Sequence, residues 1–392
     1  MNAGAAALAM LLACGVLFAL WYFLLLKKSS CKGTQVCCGS GACCKSSLLS
    51  HCPAPAFSGT AVRSWTGRDF IPYSGKGWSF FDAQDPTLGL VQYIAGNPNV
   101  NDKTSTFFGS TDDQLKMQLV NAPGIALYST RLTSSDTFDY GLFLMDVRQI
   151  PFGRFVWPSW WLNGLIYGND PDKWSINGEI DIIEGGWQVG GGENALNTFS
   201  VHTNSRTSVP YTQPQLNLNE ATGNCEYAGP SNGKTCGLNG TQSCPFLGCS
   251  RLWPVSANGY GRSFQSNGGG IYAINVQCDS SLKLWFIPAN KGSSASYVKI
   301  RGIMTSRGAL KLETLDALPT ADGVETLNLP QKTPTQVFSN LQIVIDTDVC
   351  GQAFGSPGRD TCDPDTLYNK LLPVPSFIEN SAWIINGISV YQ

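Results

Sequence analysis

Short apolar segments of strand length recur from residue 56 to residue 392, separated by clusters of Gly, Pro, Asn and Asp. The clearest segments are residues 141–145, 271–276, 282–286, 341–345 and 383–386. Runs of this length that contain many β-branched and aromatic residues, bounded by turn formers, are typical of β-strands. The pattern therefore predicts an all-β sandwich over residues 56–392.

The first 28 residues have a different pattern. Residues 3–26 are uncharged and almost wholly apolar, and at about 1.5 Å per residue a helix of that length crosses the ~30 Å hydrocarbon layer. We expect a transmembrane helix here, which makes the membrane a partner through residues 3–26. A cleaved signal peptide in residues 1–28 is the alternative, although the segment has no basic start and carries bulky Trp21 and Tyr22 near its end.

Two opposing signals bear on the orientation of this helix. Lys27 and Lys28 favour a cytoplasmic position for the downstream flank, whereas the 14 cysteines of the chain favour an oxidising compartment. We give more weight to the cysteines and expect a membrane-anchored protein whose main domain is extracellular or lumenal. A secreted protein is the alternative.

Residues 29–55 are rich in Ser, Gly and Cys and poor in bulky apolar residues, which predicts a Cys-rich stalk rather than a second core. The alternative is a module that binds zinc or carries lipid through the adjacent cysteines at 37–38 and 43–44. Contiguous pairs do not match the separated Cys-x-x-Cys spacing of zinc sites. Four more cysteines lie in the loop-like stretch 210–267, which we expect to be stapled by disulfides.

Composition excludes several classes of function. Charged residues make up 14% of the chain, the formal net charge is -2, and Lys and Arg do not cluster, so nucleic acid is not an expected partner. Two histidines, His51 and His202, cannot assemble the usual His-rich zinc sites. The Gly-x-Ser-x-Gly match at 229–233 follows no apolar strand and does not predict a serine hydrolase. We expect no cofactor and place no metal, and the sequence does not predict the oligomeric state.

The segment with the most chemical content is residues 177–185, Asn-Gly-Glu-Ile-Asp-Ile-Ile-Glu-Gly. Side chains alternate along a strand, so Glu179 and Asp181 share one face while the intervening isoleucine points to the core. Glu184 is five positions beyond Glu179 and would face the other way in a regular strand. One extra residue accommodated as a β-bulge around residues 182–183 would return it to the face of the other two acids.

With that bulge, four strand steps, roughly 13 Å, separate the two glutamate Cα atoms. Side chains that each reach back ~3–4 Å would bring the carboxyl groups to ~5–5.5 Å, the separation in retaining glycosidases. In those enzymes one carboxylate attacks the anomeric carbon, and the other protonates the leaving oxygen and then activates water. We expect Asp181 to hydrogen-bond the nucleophile and to raise the pKa of Glu184 by like-charge repulsion.

Two other interpretations of the acids stay open, a strand edge protected by charge and a calcium site of clustered carboxylates. Aromatic residues near the acids favour a sugar site, because indole faces stack on sugar rings. The neighbouring tryptophans are Trp157, Trp160, Trp161, Trp174 and Trp187. Among them we expect Trp157 and Trp174 foremost, and then Trp161, to contact sugar.

The sequence resembles glycoside hydrolase family 16, in particular the fungal-type laminarinases. Besides the Glu-x-Asp-x-x-Glu core, the resemblance rests on residues 85–93, 131–134, 140–143, 157–161, 202–203, 268–273, 345–351 and 383–391. It implies that residues 56–392 are the catalytic domain, a concanavalin-like β jelly roll of two antiparallel sheets with the glucan in its concave cleft. It also implies that Glu179 is the nucleophile, Asp181 the helper and Glu184 the acid/base.

The long form of the acid motif implies an endo-glycosidase that hydrolyses β-1,3 or mixed β-1,3/1,4 glucan. A wall-remodelling transglycosylase and a non-catalytic β-glucan-binding protein are the alternatives. By the same resemblance His202 is expected to contact sugar or a catalytic carboxylate, and a structural histidine is its alternative. Asn275 and Val276 stand where family members have Glu-Trp, so one sugar contact is expected to be missing.

Overall fold

The computed structural model describes residues 35–37, 43–45, 59–72, 74–95, 107–111, 113–122, 126–164, 177–186, 192–204, 226–227, 249–330, 337–354 and 360–392. The chain divides into two units, Met1–His51 and Cys52–Gln392. In the first unit, β1 (Gln35–Cys37) and β2 (Cys43–Lys45) form an antiparallel pair. The boundaries 1–28, 29–55 and 56–392 stay predictions.

The second unit is built mainly of strands. They are β3 (Arg63–Trp65), β4 (Trp78–Phe81), β5 (Val91–Tyr93), β6 (Phe107–Thr111), β7 (Gln114–Gln118), β8 (Val120–Ala122), β9 (Ala126–Ser129), β10 (Arg131–Ser134), β11 (Gly141–Gln149), β12 (Val156–Gly164), β13 (Glu179–Glu184), β14 (Thr198–Asn204), β15 (Glu226–Tyr227), β16 (Cys249–Leu252), β17 (Gly270–Val276), β18 (Leu282–Pro288), β19 (Glu325–Leu329), β20 (Leu341–Val349) and β21 (Ala382–Tyr391).

The helices of the described residues are short. The α-helices are α1 (Gly261–Ser266), α2 (Ala295–Ser306), α3 (Leu312–Asp316), α4 (Pro364–Thr366) and α5 (Pro375–Asn380), with a π-helical turn at Leu367–Leu371 and 3₁₀ turns at Gly67–Phe70, Gly192–Asn194, Ala257–Gly259, Asn290–Gly292 and Thr320–Asp322. No helix in this part of the chain is long and apolar enough to cross a membrane. Residues 3–26 lie outside it, so the transmembrane helix stays a prediction.

Most strands belong to two large sheets. Sheet 1 has the order β15-β14-β13-β12-β20-β10-β4, with β16 also paired to β14, and sheet 2 has the order β19-β18-β17-β11-β21-β7-β6, with β3 paired to β21. A small third sheet has the order β5-β9-β8. The pairings β14/β15 and β5/β9 are parallel, while the pairings within sheet 2 are antiparallel. The predicted all-β fold with two antiparallel sheets is confirmed.

The two large sheets pack face to face over one hydrophobic core. In β12 of sheet 1, Trp160 and Leu162 are fully buried in this core, and the alternation of a strand turns Trp161 to the opposite face. Phe143 and Met145 of β11 reach the same core from sheet 2. One face of sheet 1 is therefore committed to packing, and its other face, which we call the acid face, carries the polar residues of the candidate site.

The outer face of sheet 2 is covered by α2. Ile300 of that helix packs with Leu144 of β11 in a second apolar cluster. Beside them the buried Asp146 accepts a hydrogen bond from the Tyr297 hydroxyl at 3.0 Å and pairs with Arg301 Nε at 3.2 Å. Because burial penalises the ionised form, the pKa of Asp146 is raised. Tyr297 and Arg301 thus fasten the helix to the sheet through one carboxyl group.

Asn275 and Val276 do not lie on the acid face. Both belong to β17 of sheet 2, where Val276 enters the central core and Asn275 is fully buried and, by the alternation of the strand, points the other way. The two amide atoms of Asn275 have no hydrogen-bond partner within the described residues. The expectation that a sugar contact is lost at these positions is wrong, because β17 lies in the other sheet.

Disulfides are present in the described part of the chain. Cys350, which directly follows β20, is bonded to Cys362, with their Cα atoms 5.5 Å apart. Cys249, from the stretch predicted to be stapled, and Cys278 are also disulfide-bonded. These bonds agree with the oxidising compartment inferred from the cysteine content.

Gly186 and Gly302 differ in whether the structure has room for a Cβ atom. A Cβ at Gly186 (φ +100°) would lie 1.7 Å from the Val156 carbonyl oxygen, whereas a Cβ at Gly302, exposed in α2, meets nothing within 4 Å. We expect Gly186→Ala to lower the free energy of unfolding by at least ~2 kcal/mol. Gly302→Ala should raise it by about 0.5 kcal/mol, because alanine has less backbone freedom to lose in a helix. Urea unfolding of both variants checks this, and equal effects of the two substitutions would contradict it.

Candidate active site

The predicted β-bulge in β13 is confirmed. Along the pairing of β12 with β13, Trp160 is opposite Ile183 and Trp161 is opposite Asp181, so Ile182 has no counterpart. An unpaired residue shifts the alternation of the strand by one. Glu184 therefore returns to the acid face, while Ile182 and Ile183 are both fully buried in the core.

Asn197 holds the bulge in place. Its Oδ1 accepts the backbone N–H of Glu184 at 3.0 Å, and its Nδ2 donates to the carbonyl oxygens of Ile182 at 3.0 Å and of Trp253 at 2.7 Å. Asn197 is fully buried, where an unpaired amide would be costly. One side chain thus supplies the hydrogen-bond partners that the irregular ladder leaves open.

The carboxyl group of Glu184 has two donors. Trp157 Nε1 donates to its Oε1 at 3.0 Å, and the Ser200 hydroxyl donates to its Oε2 at 3.4 Å. Ser200 comes from β14, where it is opposite Asp181. Trp157, which we expected to stack on sugar, therefore also contacts an acid through its indole edge.

Glu179, Asp181 and His202 form a cluster on the acid face. His202 is the register partner of Glu179, its Nε2 lies 3.2 Å from Asp181 Oδ2, and one ligand atom from each of the three residues lies within 4.8 Å of the others. Both acids are buried, with Glu179 8% and Asp181 5% exposed. His202 thus contacts the predicted helper acid.

The carboxyl group of Asp181 has a raised pKa, which favours its protonated form near neutral pH. Burial, and then the negative charge of Asp346, raise its pKa to about 8. The raised pKa weakens the expected repulsion of Glu184 by Asp181, because the protonated form carries no charge. A protonated Asp181 instead has an O–H to donate to a neighbouring carboxylate.

The cluster of Glu179, Asp181 and His202 fits a metal ion poorly. A cation binds the ionised form of a carboxyl group, and the raised pKa of Asp181 disfavours that form. Calcium also takes six to eight oxygen ligands, and the cluster offers one atom from each of three residues, one of them a ring nitrogen. The donor set does not match the calcium alternative.

Trp161 contacts groups from two other strands. Its Nε1 donates to Asp346 Oδ2 of β20 at 3.3 Å, and the guanidinium carbon of Arg131 from β10 lies 4.9 Å from its ring centroid. Arg131 is equally distant, at 4.9 Å, from the ring centroid of Phe81 of β4. Burial raises the pKa of Asp346 to about 6.

A second acid pair lies farther along the same face. Asp85 and Asp348 are both buried, and the Thr87 hydroxyl is within hydrogen-bond distance of both, at 2.7 Å from Asp85 Oδ2 and 3.1 Å from Asp348 Oδ2. Burial and the nearby Asp85 raise the pKa of Asp348 well above its usual value. This pair ties the segment that begins Asp-Pro-Thr to β20.

Six of the seven predicted site residues lie on the acid face. They are Glu179, Asp181, Glu184, Trp157, Trp161 and His202. Trp174 lies outside the described residues. Sequence reasoning missed Asn197, Ser200, Arg131 and the β20 acids, although Ile-Asp-Thr-Asp-Val at 345–349 has the same alternation of acids with apolar residues as the segment that it identified.

The raised pKa of Asp181 predicts a pH effect on stability. An aspartate has a pKa of about 3.9 in an unfolded chain, so between pH 4 and pH 8 the folded protein binds the extra proton and its stability falls as the pH rises. The raised pKa values of Asp346 and Asp348 also make the stability fall as the pH rises. The contribution of Asp181 is therefore obtained by comparing wild type with a variant that lacks this carboxyl group. In urea unfolding, we expect the free energy of unfolding of Asp181→Asn minus that of wild type to be larger at pH 8 than at pH 5. An unchanged difference between the two pH values would contradict the assignment.

The chain is similar in sequence to fungal proteins named as a glucanase and a glycosidase. The chain is 27% identical over 346 residues to an endo-1,3(4)-beta-glucanase (xgeA) of Emericella nidulans and 25% identical over 337 residues to a probable glycosidase of Schizosaccharomyces pombe. The matched regions cover 84% of this chain in both cases, and 46% and 68% of the respective relatives. The chain thus spans less than half the length of the Emericella protein.

Solved structures agree in fold. Laminarinase 16A from Phanerochaete chrysosporium, with two β-glucans in donor and acceptor sites, aligns with a TM-score of 0.59 at 25% identity, covering 85% of this chain and 99% of that one. An elongating family 16 β-1,3-glucosyltransferase aligns with a TM-score of 0.55 at 24% identity, covering 86% and 100%. The model of the XgeA-like, catalytic GH16 domain matches residues 78–391. The chain therefore belongs to glycoside hydrolase family 16.

Proposed function

We propose that this protein is a retaining endo-glycosidase that hydrolyses β-1,3 or mixed β-1,3/1,4 glucan. The observation that carries the proposal is the bulge at Ile182, which brings Glu179 and Glu184 to one face of one strand with Asp181 between them. The 1,3(4)-glucanase relative and the glucan-bound laminarinase support β-glucan as the substrate.

In the proposed mechanism the carboxylate of Glu179 attacks the anomeric carbon. The carboxyl group of Glu184 protonates the glycosidic oxygen, so that the leaving sugar departs as an alcohol and a glycosyl-enzyme ester remains. Glu184, now ionised, then takes a proton from water, which attacks the same carbon and releases Glu179. Two displacements at one carbon retain its β configuration.

The groups around the acids fit these roles. Trp157 and Ser200 donate to Glu184, and donors of this kind stabilise the carboxylate that forms once it has given up its proton. The O–H of protonated Asp181 would stabilise the negative charge that returns to Glu179 when water displaces it in the second step. Trp157 and Trp161 offer indole surfaces for sugar, and we keep His202 and Trp174 as proposed contacts.

The test compares the full chain with Glu179→Gln and Glu184→Gln on laminarin. Each substitution removes one carboxylate of the pair, so we expect the release of reducing ends to fall by about 10³-fold or more. The matched control is Glu313→Gln in the exposed face of α3, which should leave the rate unchanged. The first product seen by NMR should have the β anomeric configuration. Wild-type activity that survives in Glu179→Gln, or an α product, would refute the assignment.

The glucosyltransferase neighbour gives the transglycosylase alternative a specific basis. The two activities share the glycosyl-enzyme intermediate and differ in whether water or a sugar hydroxyl accepts the glycosyl group. Added laminari-oligosaccharide acceptors would yield elongated products if sugar is the acceptor. Under our proposal the products on laminarin and lichenan are mainly shorter oligosaccharides.

We also propose that the catalytic domain lies outside the cytoplasm, anchored through residues 3–26. The apolar run and the Cys350–Cys362 disulfide support this localisation. The full chain, expressed in a eukaryotic secretory pathway, should stay with the membrane pellet after carbonate extraction, and a variant without residues 3–26 should not. If the expressed protein is found in the medium in a shortened form, its N-terminal segment is a cleaved signal peptide instead.

A further inference from the structure

Asp346 lies on the acid face beside Trp161, one of the proposed sugar contacts. It lies on β20 and is 6% exposed, and its Oδ2 accepts the indole N–H of Trp161 at 3.3 Å. The same oxygen lies 3.7 Å from Nε of Arg131. One carboxyl group therefore fixes the polar edge of the indole and faces the cation that covers the ring.

Arg131 occupies one face of the Trp161 ring. Its guanidinium carbon is 4.9 Å from the ring centroids of both Trp161 and Phe81, so the planar cation lies between two aromatic side chains. Such stacking orients a guanidinium strongly. Asp346 thus holds the edge of the indole and Arg131 covers one of its faces, while the side chain stays partly exposed.

The carboxyl group of Asp346 is the counter-ion of Arg131. Arg131 stays charged at any working pH and its side chain is 14% exposed, so loss of the carboxylate would leave a largely buried cation without its counter-ion, which is costly. The titratable groups that act on or near Asp346 are Arg131, Asp181, Asp85 and Tyr93. Because the pKa of Asp346 is about 6, its charge is present above that pH.

We propose that Asp346 is a positioning residue for substrate binding. Together with Arg131 it fixes the plane of the Trp161 indole, so that the ring face opposite the guanidinium is the flat surface on which a glucose ring stacks. Trp161 is the register partner of Asp181, so this surface lies beside the predicted catalytic acids. The inference rests on the proposed function, because it gives Trp161 a sugar to bind.

The experiment is a double-mutant cycle between Asp346→Asn and Trp161→Ala, made in the inactive Glu179→Gln background. The dissociation constant for laminarihexaose is measured by calorimetry above pH 6. We expect Asp346→Asn alone to weaken binding roughly tenfold, since it removes the ion pair with Arg131 and leaves only a neutral acceptor for the indole N–H. In the Trp161→Ala background the same substitution should change the constant less than twofold, because the positioned ring is already gone.

Asp348→Asn is the matched control. Asp348 is an equally buried carboxyl group two residues along the same strand, but it contacts Thr87 rather than Trp161. Its effect on binding, of whatever size, should be the same with and without Trp161. Equal effects of Asp346→Asn in both backgrounds would overturn the proposal, and so would coupling of the same size for Asp348→Asn.

A second readout separates this proposal from the proposed function. The indole N–H resonance of Trp161, assigned by its loss in Trp161→Phe, should shift and exchange with solvent faster in Asp346→Asn and stay unchanged in Asp348→Asn. An unchanged resonance in Asp346→Asn overturns the positioning role, whether or not the protein acts on glucan. If the resonance shifts but the protein neither binds nor cleaves laminari-oligosaccharides, Asp346 still positions Trp161. In that case the role in substrate binding is refuted, and so is the proposed function.

Discussion

The hydrogen bonds of Asn197 to the bulge of β13 are the constraint on which the rest of the site depends. A strand with one unpaired residue leaves a backbone N–H and a carbonyl group without ladder partners, and burial makes this expensive. The amide of Asn197 satisfies the N–H of Glu184 and the carbonyl of Ile182 together. The irregular strand is thereby stable enough to carry two glutamates on one face, and the isoleucines remain in the core.

The acid face concentrates carboxyl groups in a place where water is scarce. Asp181, Asp346 and Asp348 are all nearly buried and all have raised pKa values. A folded protein tolerates such groups when they are protonated or when a cation is close. Arg131 lies beside Asp346, whereas the raised pKa values of Asp181 and Asp348 favour their protonated forms. Burial and neighbouring groups thus act differently on carboxyl groups of the same chemical type.

Local sequence patterns predicted the parts of this structure that are governed by local rules. Alternation fixed the face of Glu179 and Asp181, and the count of residues to Glu184 required the bulge before any pairing was known. The same rules could not assign Asn197, Arg131 and Asp346 to the site. These residues lie near the acids only because of the order of the strands in sheet 1. Asn275 was misjudged for the same reason, since alignment with a family motif does not tell which of two sheets a strand joins.

The disulfide at Cys350 has a consequence beyond the stability of a surface segment. Cys350 follows directly on the strand that carries Asp346 and Asp348, so a covalent crosslink ends the same strand that positions an indole and a buried acid pair. The end of that strand is covalently tied to Cys362 only when the thiols are oxidised. A chain folded in a reducing cell would have every side chain named above but would lack this covalent link. The thiol content of recombinant preparations should therefore be measured before their kinetics are compared.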